Sequence, residues 1–142
     1  MRGRRWLLPV LMISMAGWAV AQAETSSLAV ERSAIAERVV DREPVEEATT
    51  FTADIGQVAC FTRIIGAEGE EVIYHVWRHQ GQERAKVELT VRGATWRTWS
   101  TKKIVPSWTG EWTVEVQDAD GNVLKTLSFT VEEGGGTTGT GR

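Results

Sequence analysis

The chain has a single cysteine among its 142 residues, Cys60. It therefore cannot form a disulfide bond within the chain, and we expect its side chain to be a small apolar group buried in a strand. Runs of basic residues are also missing, and the formal net charge is −3. This charge balance argues against nucleic acid and against anionic membrane surfaces as partners.

Helical periodicity is missing beyond residue 23, and the segment before it has the pattern of an export signal. Three arginines precede an apolar stretch over residues 6–20, and Ala21-Gln22-Ala23 supplies the small residues of a cleavage site. We predict a signal peptide over residues 1–23 and a periplasmic or secreted bacterial protein, with no membrane insertion after cleavage. An uncleaved membrane helix is the alternative, although the apolar stretch is shorter than the roughly 20 residues that a spanning helix needs.

Alternation of apolar and polar residues with a period of two is frequent in the rest of the chain, which indicates strands with one buried face. Residues 84–91, 112–117 and 123–131 show it, with Val123 counted on the apolar face of the last strand. A first strand is expected near residues 31–39. No pattern typical of a long helix competes with these assignments.

Two further segments, residues 58–65 and 72–77, are apolar on both faces. Such strands are central in a sheet, or their second face is covered by another part of the chain. Turn signals at residues 80–82 and 118–122 would close two hairpins, the second with Gly121 at a positive φ. About seven short strands without helices predict an antiparallel, immunoglobulin-like β-sandwich, with a small closed barrel as the alternative.

The sandwich domain is predicted over residues 31–132, with a loose segment at residues 24–30 before it. Residues 41–54 are acidic and contain a proline, so we expect them to lie outside the core and to cross between the sheets. The Gly/Thr-rich residues 133–142 cannot bury enough apolar surface to offset the entropy of ordering them. They are predicted to be a disordered tail.

Five tryptophans are concentrated between residues 77 and 112. Tryptophan either fills a core with a large apolar ring or offers a flat face to a ligand. Trp112 shares a strand face with Val114, so we expect it in the core. Trp77 is expected there too, because immunoglobulin-like sandwiches bury a tryptophan on a central strand. This orientation points His75 inward, where its ring needs hydrogen-bond partners.

The other three tryptophans are the candidates for a binding surface. Trp96 and Trp99 are three residues apart in a predicted strand, so they point to opposite faces and one of them lies outward. Trp108 is in a loop, where it either plugs the end of the sandwich or is exposed. Arg97 and Lys102 are nearby in sequence, and Trp and Arg dominate interface hot spots. The candidate ligand- or partner-binding residues are therefore Trp96, Arg97, Trp99, Lys102 and Trp108.

Several short motifs, taken in order, resemble one known family. They are Arg42-Glu43-Pro44-Val45, Phe61-Thr62, His75-x-Trp77, Trp96-Arg97-x-Trp99-Ser100-x-Lys102 and Trp108-x-Gly110-x-Trp112-x-Val114. Their order and spacing resemble the bacterial family catalogued as domain of unknown function 2914, over roughly residues 30–132. The resemblance implies these domain limits and a location in the cell envelope. It implies no activity, no ligand and no role for any motif residue.

Patterns typical of catalysis or metal binding are weak. His75 and His79 share a strand face but lie about 13 Å apart at roughly 3.3 Å per residue, too far to share one metal ion. Ser100 could meet His75 across strands, but the strained Gly-x-Ser-x-Gly turn of many nucleophilic serines is missing. We expect no enzyme activity, no metal site and no cofactor. A pocket that brings His75 to Ser100 and an acid would argue the opposite.

The sequence therefore predicts an exported, non-catalytic sandwich that binds or scaffolds a protein partner in the cell envelope. One alternative is an envelope glycan, because sugar rings stack on exposed aromatic faces and accept hydrogen bonds from Arg or Lys. A second alternative is a purely structural spacer domain with all five tryptophans in its core. The exposure of the tryptophans separates the binding hypotheses from the spacer.

Overall fold

The computed structural model describes residues 27–134 and Gly3. Apart from Gly3, the predicted signal peptide lies outside the described residues, as do residues 135–142 of the predicted tail. The described residues form nine strands and no helix. The strands are β1 (Ala29–Val40), β2 (Glu43–Glu47), β3 (Thr50–Thr52), β4 (Gln57–Ile65), β5 (Glu71–His79), β6 (Gln82–Val91), β7 (Thr95–Lys103), β8 (Gly110–Asp118) and β9 (Val123–Glu132).

The strands form two sheets that pack face to face. The four-stranded sheet has the order β2-β1-β4-β7, and the five-stranded sheet has the order β3-β9-β8-β5-β6. Neighbouring strands are antiparallel, except that β3 and β9 are parallel. The predicted all-β sandwich is confirmed, with nine strands instead of about seven. The alternative of a closed barrel is wrong, because the strands divide into two separate sheets.

The core lies between the sheets and is rich in aromatic rings. Trp77 and Trp112 are completely buried, as predicted. Phe129 stacks on Trp112 at 5.9 Å between ring centroids and meets Trp77 edge-on at 6.1 Å. Cys60 is a buried member of the same apolar cluster, and burial raises the pKa of its thiol. The prediction of an apolar role for this cysteine is confirmed.

Both predicted hairpin turns are confirmed. Gln80 and Gly81 join β5 to β6 with φ angles of 48° and 80°, the two positive values that a two-residue type I′ turn requires. In the β8–β9 turn, Gly121 has a φ of 85°. The Asp118 carboxylate accepts hydrogen bonds from the backbone and side-chain N–H groups of Asn122. Burial raises the pKa of Asp118, but these hydrogen bonds and those from the backbone of Asp120 and Gly121 together outweigh burial, so the pKa is lowered.

Residues 41–54 cross between the sheets as predicted, but they are not outside the core. They contain β2 in one sheet and β3 in the other. Phe51 and Ala53 are buried members of the main apolar cluster, and the Phe51 ring meets Phe129 edge-on at 5.9 Å. The acidic composition of the segment suggested an exposed loop, but Phe51 and Ala53 alternate with polar residues and point into the core.

The last strand departs from the predicted alternation at its start. Val116 pairs with Lys125 and Gln117 pairs with Val123, so Leu124 is an extra residue in β9. Such a β-bulge changes which residues face the core. Val123 is 53% exposed rather than on the apolar face as predicted. Leu124 packs instead against a second apolar cluster, whose buried members are Leu28, Ile64, Ala67, Ile73, Val91 and Val116.

The outer face of the four-stranded sheet is covered in part. Along β4, Val58 and Cys60 belong to the core between the sheets. Ala59 and Phe61 alternate with them and therefore point away from that core, yet each is 0% exposed. The prediction that one apolar face of this strand is covered by another part of the chain is therefore confirmed.

The β1–β2 hairpin supplies this cover. The Glu43 carboxylate, at the start of β2, lies 2.7 Å from Arg32 and 2.9 Å from Arg97 of β7. Two strands separate β2 from β7 in the sheet order, so the end of the hairpin must fold over the outer face to make the second contact. The Arg32 guanidinium lies 5.3 Å from the Phe61 ring centroid. The hairpin thus adds a partial third layer above Phe61.

Candidate functional site

A chain of hydrogen bonds joins the two sheets at His75, which is 0% exposed. Its Nδ1 lies 2.7 Å from Ser100 Oγ, and its Nε2 lies 3.2 Å from Thr62 Oγ1. The Trp77 indole N–H donates to Ser100 Oγ, and the Thr62 hydroxyl donates to the Thr98 carbonyl. Because the Thr62 proton is used there, Nε2–H must donate to Thr62 and Ser100 must donate to Nδ1.

This arrangement keeps His75 neutral and structural. Burial lowers the pKa of His75 to about 4. Both ring nitrogens are bonded to hydroxyl groups, so neither is bonded to a carboxylate, and Ser100 is itself only 6% exposed. The structure brings His75 to Ser100 in the buried core, and no carboxylate of residues 27–134 hydrogen-bonds to the His75 ring as a catalytic arrangement would need. The arrangement therefore stabilises contact between the sheets.

His79 is also held by the fold. Its Nε2 lies 2.7 Å from the Thr109 carbonyl, and its ring lies 4.9 Å from the Trp112 ring. Within residues 27–134, no group of three or more His, Cys, Asp or Glu side chains is arranged to hold a metal ion. The same part of the chain has no helix long and apolar enough to cross a membrane.

The predicted site residues on β7 alternate between its two faces. Trp96 packs against the second apolar cluster between the sheets, whereas Trp99 is 37% exposed. The prediction that these two tryptophans point to opposite faces, with one outward, is confirmed. Since Trp99 is exposed, the five tryptophans are not all in the core. The hypothesis of a purely structural spacer required all five tryptophans to lie in the core, so the exposure of Trp99 argues against it.

Three of the five predicted site residues line one open cleft. This Trp96–Trp99 cleft has a volume of about 350 Å³ and is lined by Arg42, Trp96, Arg97, Thr98 and Trp99. The Arg42 guanidinium lies 5.8 Å from the Trp96 ring centroid. The cleft therefore combines two indoles with two guanidinium groups.

The other two predicted residues lie together elsewhere, at the end of the sandwich. Trp108 is half-buried against the main apolar cluster, and its ring lies 5.9 Å from that of Trp112. It therefore plugs the sandwich, one of the two outcomes that the sequence left open. Lys102 Nζ lies 5.0 Å and Arg84 Cζ lies 4.8 Å from the Trp108 ring centroid. We call Arg84 and Lys102 at this ring the Trp108 cation pair.

One comparison with known proteins bears on this part of the chain. Residues 70–131 match the family described as Protein of unknown function (DUF2914). The match confirms the predicted family, over a narrower range than the roughly 30–132 of the resemblance. The DUF2914 segment runs from β5 through most of β9, and it contains the Trp108 cation pair and most of the cleft. No curated protein matches the chain.

The structure adds two arginines that the sequence did not single out as site residues. Arg84 lies inside the DUF2914 segment and Arg42 lies before it. Arg84 occupies a polar position in the alternation of β6, which signals an exposed side chain but not a neighbour on another strand. Arg42 stands at the turn of the covering hairpin with a φ of 62°. Its contact with Trp96 depends on how that hairpin folds over the sheet.

Proposed function

We propose that the protein is a non-catalytic module that binds a partner protein through the Trp96–Trp99 cleft. The exposure of Trp99 carries this proposal. Trp99 is 37% exposed, and the other large hydrophobic residues exposed in the described part of the chain are the smaller Val40 and Val123. A partner that covers the Trp99 ring would remove a large apolar area from water, which favours association.

The surroundings of Trp99 suit a protein partner. β7 is an edge strand of the four-stranded sheet, so a partner can approach it from the side as well as from the outer face. Arg97 is already paired with Glu43 at 2.9 Å. Arg42 makes no ion pair within the described residues, so it is the cation left for a carboxylate of the partner. Tryptophan and arginine together are the residues most enriched in interface hot spots.

The proposed location is the bacterial cell envelope. Its support is the N-terminal pattern of arginines, an apolar stretch and small residues, which is typical of an export signal. The buried state of His75 and Ser100 supports a non-catalytic role, because their contact joins the two sheets.

The test compares two substitutions of exposed residues on different sheets. Trp99→Ser should reduce recovery of the partner from a cell-envelope extract about tenfold or more, because it removes the proposed apolar anchor. Val123→Ser, at a 53% exposed position on β9, is the matched control and should leave recovery unchanged. A protein counts as the partner only if Trp99→Ser and Arg42→Glu both lose it. Equal recovery by wild-type and Trp99→Ser chains would contradict the proposal.

A glycan is the second candidate, because Trp96 and Trp99 line the same cleft. Aromatic faces beside arginine are suited to stacking on sugar rings and to hydrogen bonding with their hydroxyl groups. Titration of the purified protein with peptidoglycan and envelope polysaccharide fragments, followed by tryptophan fluorescence, separates the two candidates. The protein-partner proposal predicts no saturable change. A saturable shift that Trp99→Ser abolishes would favour the glycan.

A further inference from the structure

Trp108 is held rigidly although it lies in a loop. Its backbone N–H donates to the Val105 carbonyl at 2.8 Å, and its carbonyl accepts from the Trp112 indole N–H at 3.0 Å. Its ring lies 5.9 Å from that of Trp112 and 6.2 Å from that of His79. One end of the sandwich therefore presents an indole whose position is fixed before any ligand arrives.

Two positive charges share this one ring. Arg84 and Lys102 come from different sheets, and both lie within 5.0 Å of the Trp108 ring centroid. One cation over an indole is favourable, but a second cation beside it repels the first. Partial burial and then the charge of Arg84 lower the pKa of Lys102. The folded protein thus bears an electrostatic cost here that an anion would relieve.

Among the described residues, no acidic side chain forms an ion pair with either of these cations. Five arginines elsewhere each pair with a glutamate, namely Arg32, Arg38, Arg63, Arg78 and Arg97. Within residues 27–134, neither Arg84 nor Lys102 forms an ion pair, and Lys102 Nζ donates only to the Lys103 carbonyl at 3.2 Å. The cation pair is therefore unneutralised in a chain whose formal net charge is −3.

We propose that Arg84 and Lys102 bind a carboxylate of an acidic protein segment against the indole of Trp108. The guanidinium and ammonium groups would donate charge-assisted hydrogen bonds to the carboxylate. The half-buried ring would contact the methylene groups of the same acidic side chain, a contact that a bare inorganic anion cannot make. This site shares no residue with the Trp96–Trp99 cleft and does not depend on it.

The probe is a hexaglutamate peptide with blocked ends, titrated into the ¹⁵N-labelled protein. The indole N–H signal of Trp108, identified through Trp108→Phe, should shift and saturate. Arg84→Gln and Lys102→Gln should each weaken the binding about tenfold. Lys125→Gln, at an exposed position on β9, is the matched control and should bind like the wild type. Raising the salt concentration to about 0.5 M should weaken the interaction, because exposed charges are screened.

Several outcomes would overturn the site. They are the absence of a shift, an equal shift with hexalysine, or unchanged binding in Arg84→Gln and Lys102→Gln. A stronger effect of inorganic phosphate at the same signal would replace the acidic segment with a small oxyanion as ligand. Trp99→Ser should keep the hexaglutamate response in full. This variant therefore separates failure at the cation pair from failure at the cleft.

Discussion

Acidification from pH 7 to pH 4 should lower the free energy of unfolding by about 3 kcal/mol through His75. The folded protein holds the pKa of this histidine at about 4, against 6.5 for the free side chain. Between these values the unfolded chain binds the proton and the folded chain does not. The stabilisation is therefore complete above about pH 6.5. It decreases as the pH falls, until both states are protonated below about pH 4.

The hydrogen-bond chain gives the low pKa of His75 a structural basis. A second ring proton, on Nδ1, would face Ser100, which already accepts from the Trp77 indole N–H at 3.1 Å. Ser100 would then lose the acceptor for its own proton. The neighbours directly across the strands, Val87 and Val116, are apolar and cannot compensate the charge. Protonation therefore adds broken hydrogen bonds to the cost of burying an ion.

Urea unfolding between pH 7 and pH 4, followed by tryptophan fluorescence, measures this effect. His75→Gln keeps a donor and an acceptor but does not titrate. The slope of its unfolding free energy against pH should therefore be smaller than that of the wild type, by an amount that corresponds to close to one bound proton. His79→Gln removes the only other histidine of the chain and should retain the loss due to His75. Parallel pH profiles for the wild-type protein and His75→Gln would show that the account of this core is wrong.

Phe61→Ala should destabilise the protein by about 3–5 kcal/mol, the range for a buried phenylalanine. Phe61 points away from the core between the sheets, and in a simple two-layer sandwich its loss would cost little. It is 0% exposed because the β1–β2 hairpin lies over it. The expected loss therefore measures the packing of this third layer.

Val123→Ala is the matched control for the Phe61 prediction. Val123 is 53% exposed on a face without such a cover, so its truncation should change the free energy of unfolding by less than about 0.5 kcal/mol. Both variants can be compared with the wild type by urea unfolding at pH 7. A loss below about 1 kcal/mol for Phe61→Ala would mean that the hairpin does not pack on the sheet.

The sequence predicted those features that depend on neighbours close along the chain. Alternation identified the buried faces of β6 and β8, since side chains two apart share a face of any strand. The same rule predicted that Trp96 and Trp99 point to opposite faces of β7. Gly81 marked the β5–β6 turn, because glycine readily adopts a positive φ.

The features that the sequence did not predict depend on contacts between distant segments. The alternation of apolar and polar residues along a strand carries no information about such contacts. Glu43 reaches Arg97 only because a whole hairpin folds over a sheet. Arg84 and Lys102 meet at Trp108 only because β6 begins and β7 ends beside the same loop, in different sheets. The bulge at Leu124 inserts one residue and reverses the faces on either side of it. The first two features explain why the sequence did not identify Arg42 and Arg84 as site residues, and why the predicted surface is divided into two sites.

The most direct test of the binding proposal is photo-cross-linking within the native cell envelope. A photoreactive residue at Thr101, exposed beside Trp99 on the outer face of β7, leaves Trp99 intact. It should give one discrete cross-linked product that disappears when Trp99→Ser is added. The same group at Ser128, exposed on the outer face of β9, should not give that product. An identical pattern at both positions, or a Thr101 product that survives Trp99→Ser, would contradict binding through the Trp96–Trp99 cleft.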